Sequence, residues 1–307
     1  MCWLSIRLRA LNLALRLVAK PYLRHLEDIP KARRFTDWAI SKTYSIPKDV
    51  NCSDYSMRYD DAEVPARRFS SAQSDRNKVL LYFHGGGYFS GSFTSHAGIA
   101  SRLAQLTEFD VVLPEYRLAP EHPFPAAIED ALTCYRSLLD QGYASKNIAL
   151  CGESAGGGLA LGLLHCISSD HLEQPACSCV FSPWTDLTLS GQSLNENALS
   201  DVIIPTIRLP ETAAKYLGGA PSDDPRASPL FGDFSGTGPI LFHASRTEAL
   251  YDDSQRLTRR LQVIGCDVRF DSWKSTPHGW HLFYEIIPEA RNALEKAAVF
   301  LKSHMTS

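Results

Sequence analysis

The sequence predicts an α/β protein: a mostly parallel sheet with helices packed on both of its faces. Two observations carry this expectation. Short apolar runs that read as strands alternate with helical segments along most of the chain, the pattern that crossover connections between parallel strands produce. One of those runs, Asn147 to Cys151, leads directly into Gly152-Glu153-Ser154-Ala155-Gly156 and then into a helix of small residues. That layout holds a serine hydroxyl at the carboxyl edge of a sheet, over the positive end of a helix. The flanking glycines suit it, because a Cβ on either side would crowd so tight a turn.

Taken in order, residues 1 to about 45 read as helical and basic, ending near Pro47. Tyr55–Tyr59 and Pro65–Ser70 form a strand pair around the acidic turn Asp60-Asp61. Lys78–Phe83 and Val111–Leu113 are apolar enough to be buried strands, and Pro125–Leu139 has helical periodicity. Ile148–Cys151, the helix after Ser154, and the strand Ser178–Ser182 follow. From Leu187 to Gly219 the pattern loosens, with a helical piece at Arg208–Leu217. Strand Pro239–Ala244, helix Leu250–Val263, strand Asp267–Trp273 and helix Glu289–Lys302 complete the chain. The two loose stretches, at the N-terminus and at 187–219, are candidates for a cap over the carboxyl edge of the sheet.

Composition narrows the class. With 307 residues, 44% hydrophobic, there is enough chain for one large core. A formal charge of −3 gives no general attraction to nucleic acid. The eight cysteines lie scattered, several within apolar runs (Cys151, Cys166, Cys179), as small hydrophobes of a reducing compartment do. Cys177 and Cys179 share a strand face, and no zinc-type spacing accompanies them. Arg7, Arg9 and Arg16 interrupt the leucine-rich N-terminus, so neither a signal core nor a stable membrane span is expected. Leu4, Leu8, Leu11, Leu15 and Val18 recur at helical spacing, which reads as an amphipathic helix packed on its own protein. Contact with a membrane surface through the arginines is the alternative. Asn51-Cys52-Ser53 matches a glycosylation sequon but is discounted without a secretory signal. A cytoplasmic location is the expectation.

A serine hydroxyl becomes a nucleophile only when a base takes its proton. His278 lies just beyond the last strand, on the loop Lys274–His281, where it can lean back over Ser154; His281 is its competitor. The acid that orients the base belongs after the penultimate strand. Glu248 comes first there, with Asp252 next and Asp253 beside it, both about a turn into the following helix. The developing oxyanion needs backbone donors. Ala155, directly after the serine, supplies one, and His84-Gly85-Gly86-Gly87 after strand Lys78–Phe83 supplies the others, with Gly85, Gly86 and Gly87 as candidates. The glycines fit neither a dinucleotide fingerprint nor a phosphate loop, since no Walker lysine follows. His84 reads as a structural hydrogen-bonding residue.

Several motifs together resemble the bacterial hormone-sensitive-lipase-like (family IV) carboxylesterases of the α/β-hydrolase superfamily. They are Tyr82-Phe83-His84-Gly85-Gly86-Gly87, the run Glu115 to Ala127, and Gly152-Glu153-Ser154-Ala155-Gly156-Gly157. Ser182-Pro183-Trp184-Thr185-Asp186 and His278 to Phe283 add to them. The resemblance runs from about residue 45 to the C-terminus, and the basic N-terminal helix is similar to the first cap segment of some members. It implies an α/β-hydrolase fold with a helical cap, residues 46–307 forming the catalytic domain and 1–45 and about 187–219 the cap. It further implies hydrolysis of small-molecule carboxylic esters with short to medium acyl chains, through an acyl-serine and without a cofactor or metal. Gly86 and Gly87, with the residue after the serine, usually serve the oxyanion. Many members carry aspartate as the acid, where this chain has Glu248; some branches use glutamate. Glu153 stands where other members carry aspartate or threonine, and a surface or supporting hydrogen bond is its default role. Members are often dimers, so a homodimer is possible. An amidase would keep the same residues, whereas the family's receptor relatives tend to lose a member of the triad.

Overall fold

The computed structural model describes residues 4–26 and 28–305. Its strands are β1 (Val50–Tyr59), β2 (Ala62–Ser71), β3 (Asp75–Phe83), β4 (Phe109–Pro114), β5 (Ile148–Glu153), β6 (Cys177–Phe181), β7 (Ile240–Ser245) and β8 (Val268–Trp273). They form one sheet in the order β1-β2-β4-β3-β5-β6-β7-β8. β1 pairs antiparallel with β2, and β2 with β4, while β4 to β8 are parallel throughout. The first pair turns at Asp60-Asp61, between the paired residues Tyr59 and Ala62, as the acidic dipeptide predicted. Asp60 takes the left-handed conformation, φ 49°, that such a turn demands and aspartate tolerates.

The helices are α1 (Ile6–Ala14), α2 (Lys20–Arg24), α3 (Ile29–Ser41), α4 (Phe93–Thr107), α5 (Ala126–Asp140), α6 (Ala155–Ser169), α7 (Ser193–Glu196), α8 (Leu209–Leu217), α9 (Tyr251–Val263) and α10 (Pro288–His304). Side-chain alternation along the strands splits the core into two layers. Val79, Leu81 and Phe83 of β3 join Leu159, Leu163 and Leu257 of α6 and α9 on one face. Leu80 and Tyr82 point the other way, into Leu103, Leu294 and Leu301 of α4 and α10. Cys177 and Cys179 are both buried in this second layer.

Two features depart from the sequence reading. Helix α4 escaped it because polar residues interrupt the apolar stripe: Ser95, His96 and Ser101 are buried beside Ala97, Ala100 and Leu103. Ser92 caps it, accepting from the Thr94 and Ser95 amides. The N-terminal segment is also broken rather than continuous. Between α1 and α2 the chain makes a wider turn over Leu15–Ala19, in which the Lys20 amide reaches back to the Leu15 carbonyl. Pro21 follows at once; its ring crowds the carbonyl four residues before it and offers no N–H, and the wider turn accommodates both.

Candidate active site

β5 delivers Ser154 to the carboxyl edge of the sheet with φ 56° and ψ −123°, a strained backbone for a residue that is not glycine. Its amide donates to the Phe181 carbonyl at 2.9 Å, and its carbonyl accepts from Trp184 at 2.9 Å, which together pin the turn. A Cβ on Gly152 would run into the Gly156 carbonyl, and one on Gly156 into the Phe83 carbonyl. Both glycines are therefore required by close backbone approach.

His278 Nε2 lies 2.8 Å from Ser154 Oγ, and His278 Nδ1 lies 2.9 Å from Glu248 Oε2. The other Glu248 oxygen accepts the Ser245 amide at 2.9 Å. The Ser245 hydroxyl in turn donates to the Thr276 carbonyl at 2.6 Å, tying the acid loop to the histidine loop. Burial works to lower the His278 pKa, but the hydrogen bond and charge of Glu248, helped by Asp201 and Glu153, hold it above the ordinary value. The three residues chosen from the sequence are thus brought together in the predicted order.

Their competitors lie elsewhere. His281 is buried with its Nε2 3.1 Å from His243 Nδ1, and burial holds it well below the usual histidine range. Asp252 accepts the Ser193 amide at 3.0 Å. Asp253 accepts the amides of Thr185 and Asp186 at 2.7 and 2.9 Å, and burial pushes it up to about 8.

The glycine loop needs a correction. The Gly85 amide donates to Glu153 Oε1 at 2.5 Å, so it is not free to meet an oxyanion. Gly86 and Gly87 adopt φ 116° and 64°, and their loop closes through the Phe89 and Ser90 amides on the Gly86 carbonyl. Of the two roles expected for Glu153, the structure shows the supporting hydrogen bond and not the surface position. Glu153 is 2% exposed, and besides Gly85 it accepts from the Tyr82 hydroxyl at 2.6 Å and pairs with His96 Nε2 at 2.7 Å. Burial would raise its pKa, but the charge and hydrogen bond of His96 and the Tyr82 hydroxyl outweigh this and hold it below the usual range. His84 is structural as expected: its ring stacks on Tyr116, whose hydroxyl donates to the His84 carbonyl at 2.7 Å, and burial lowers it to about 3.

Sequence reasoning also missed Asp201. One of its oxygens accepts the Ile203 and Ile204 amides and the other the Ala249 amide, each at 2.8 Å, which binds the 187–219 segment to the Glu248 loop. Asn197 donates to the Glu248 carbonyl at 2.9 Å from the same segment. On the opposite side Arg33 of α3 donates to the Phe89 and Ala119 carbonyls and forms a forked pair with Glu121.

Ser154 and His278 stand at the floor of a cavity of about 480 Å³ whose walls are mainly apolar. Leu11, Leu15 and Leu23 line it from the N-terminal segment, Phe35 from α3, and Ile204 and Leu209 from the later segment. Such an arrangement offers a nucleophile paired with a base, a buried carboxylate behind the base, glycine amides alongside, and an apolar pocket above.

Comparison with known proteins agrees with this chemistry. The pattern of the family described as alpha/beta hydrolase fold matches residues 80–282. An acetyl-hydrolase of Streptomyces hygroscopicus is 38% identical over 226 residues, covering 74% of this chain and 76% of its own. An ethyl acetate hydrolase of Pseudomonas putida is 30% identical over 92% of each chain. The crystal structure of an esterase from the bacterial hormone-sensitive lipase family superposes with a TM-score of 0.92 at 33% identity, covering 100% of both chains. With a fold, a site and relatives that concur, the chain belongs to the α/β-hydrolase family and is a serine carboxylester hydrolase of its hormone-sensitive-lipase-like branch.

Proposed function

We propose that Ser154, His278 and Glu248 are the catalytic triad of this carboxylesterase, and that the amides of Gly86, Gly87 and Ala155 form its oxyanion hole. The observation that carries the reading is the 2.8 Å approach of His278 Nε2 to Ser154 Oγ at the floor of an apolar cavity. His278 takes the Ser154 proton as Oγ bonds to the ester carbonyl carbon, and the carbonyl electron pair moves onto oxygen, facing the three amides. Collapse of this adduct breaks the bond to the alkoxy oxygen, which receives the proton from His278 and leaves as the alcohol. Water then attacks the acyl-serine through the same base, the acid departs, and Ser154 regains its proton. Glu248 accepts from His278 Nδ1–H and holds the ring in that tautomer, so that Nε2 faces the serine.

Residues 1–45 and about 187–219 serve as a cap in this reading. Their apolar lining suits esters with short to medium hydrocarbon acyl chains. Among the described residues five free cysteines are buried, Cys134, Cys151, Cys166, Cys177 and Cys179, which fits a reducing cytoplasm. Ser154→Ala is expected to abolish turnover of a short p-nitrophenyl ester and stoichiometric labelling by a fluorophosphonate, with the circular dichroism spectrum unchanged. Undiminished turnover in that variant would remove Ser154 from the mechanism.

A further inference from the structure

The helical segment that roofs the cavity is apolar on two sides. Its inner row includes Leu8, which is fully buried, and Leu11 and Leu15, which line the cavity. Its outer row, Ile6, Ala10, Leu13 and Leu17, recurs at the spacing of a single helix face and points to solvent. Ile6 is 84% exposed, Leu13 59% and Leu17 66%. Leu199, 88% exposed, stands on the neighbouring stretch that Lys20 clamps by donating to the Ala198 and Asp201 carbonyls. A helix with apolar rows on two sides is ordinarily covered on both. Among the described residues, protein covers only one.

Charge indicates what covers the other. Residues 4–26 hold Arg7, Arg9, Arg16, Lys20 and Arg24 and no carboxylate, in a chain whose formal charge is −3. Lys20 is turned inward, whereas Arg7, Arg9 and Arg16 are exposed. Helical spacing sets Arg9 and Arg16 along one border of the outer apolar row and Arg7 along the other. An apolar strip edged by cations is what a helix lying in the plane of an anionic lipid surface requires, with side chains in the acyl boundary and guanidinium groups at the headgroups. A second copy meeting this face about a two-fold axis would bring cationic borders together, which opposes that pairing. Among the described residues no helix is long and apolar enough to cross a membrane, so the segment would lie on the surface.

We propose that the outer face of this segment, Ile6, Leu13 and Leu17 edged by Arg7, Arg9 and Arg16, docks the enzyme on an anionic lipid surface. Apolar esters carried in that surface then have the cavity directly behind the docked helix. The substrate class rests on the esterase reading above; the docking does not.

The full chain is to be sedimented with vesicles of phosphatidylcholine alone and of phosphatidylcholine mixed with phosphatidylglycerol. Binding is expected to the mixed vesicles, about tenfold or more weaker to the neutral ones and in high salt. The double variants Leu13→Ser/Leu17→Ser and Arg9→Gln/Arg16→Gln should each lose about tenfold or more of that binding. Both alter exposed residues outside the cavity, so turnover of a water-soluble p-nitrophenyl ester should persist while hydrolysis of a long-chain ester embedded in mixed vesicles falls. Equal affinity for the two vesicle types, no binding to either, or unchanged binding in the variants overturns the proposal. So does a dimer in solution that the leucine variant dissociates while no vesicle is bound. Absence of soluble-ester turnover in the unaltered chain would count against the esterase reading and leave the vesicle result to stand on its own.

Discussion

The Gly85 amide donates to the Glu153 carboxylate, so the residue before the nucleophile holds the first glycine of the neighbouring loop. Through this bond β3 and β5 set the loop and the elbow in one register at the sheet edge. The same Glu153 oxygen meets His96 of α4, and the other meets Tyr82 of β3. Both oxygens of Glu153 are therefore answered by donors in this buried place.

A glutamine at this position would present an NH2 group to one of those donors. Glu153→Gln is expected to lower kcat by about 10- to 100-fold with little change in KM, because it loosens the loop that carries Gly86 and Gly87, the proposed oxyanion donors. Glu153→Asp keeps both acceptor oxygens and should recover part of the loss. A kcat within about twofold of the unaltered enzyme for Glu153→Gln would show that Gly86 and Gly87 are placed without this carboxylate.

Glu248, and not the aspartates that follow it, lies 2.9 Å from His278 Nδ1. Glu248→Gln should cost about 10²- to 10⁴-fold in kcat, whereas Asp252→Asn should stay within a few-fold. The pH profile carries the sign. In the proposed mechanism His278 is a base only when neutral, and the hydrogen bond and charge of Glu248 hold its pKa above the ordinary value. The acidic limb of kcat/KM should therefore lie above about pH 6.5 and move to lower pH in Glu248→Gln, where only the charges of Asp201 and Glu153 still oppose burial. A limb that does not move would separate Glu248 from the proton on His278.

What the sequence made legible follows from what local pattern encodes. Strand β5 and the glycines around Ser154 declare themselves because steric demand and alternation act over a few residues. Glu248 and His278 follow from their places after β7 and β8. The missed features depend on partners distant in sequence. His96 sits in a helix whose serines bond locally, but its own Nε2 is answered only through the fold, by Glu153 lying 57 residues away. Asp201 reads as a loop carboxylate until the chain folds and the Ala249 amide, 48 residues on, arrives at it. Gly85 is locally equivalent to Gly86 and Gly87, which only the family resemblance sets apart, since nothing in the loop's own sequence says that the Gly85 amide is engaged by Glu153.

Three buried histidines make the fold sensitive to acid. His243 and His281 stack with ring centroids 5.3 Å apart, while His84 packs on Tyr116. Burial holds His84 and His243 at about 3 and His281 well below the usual range. Around His243 the Asp271 carboxylate favours a proton, and Arg269 and Lys296 oppose it. In the unfolded chain each ring titrates near about 6.5. The unfolded state therefore binds more protons than the native state as pH falls below that value, and stability declines toward pH 3. Each group contributes roughly 1.4 kcal/mol per pH unit at the steepest, so three act strongly together. Asp253, held up at about 8, acts in the opposite sense and offsets one ring, so the urea midpoint should still drop clearly between about pH 6.5 and pH 5. His243→Asn should unfold more easily at neutral pH yet lose less on acidification, because one of the titrating rings is gone. A midpoint independent of pH across this range would mean that these rings are charged in the folded protein.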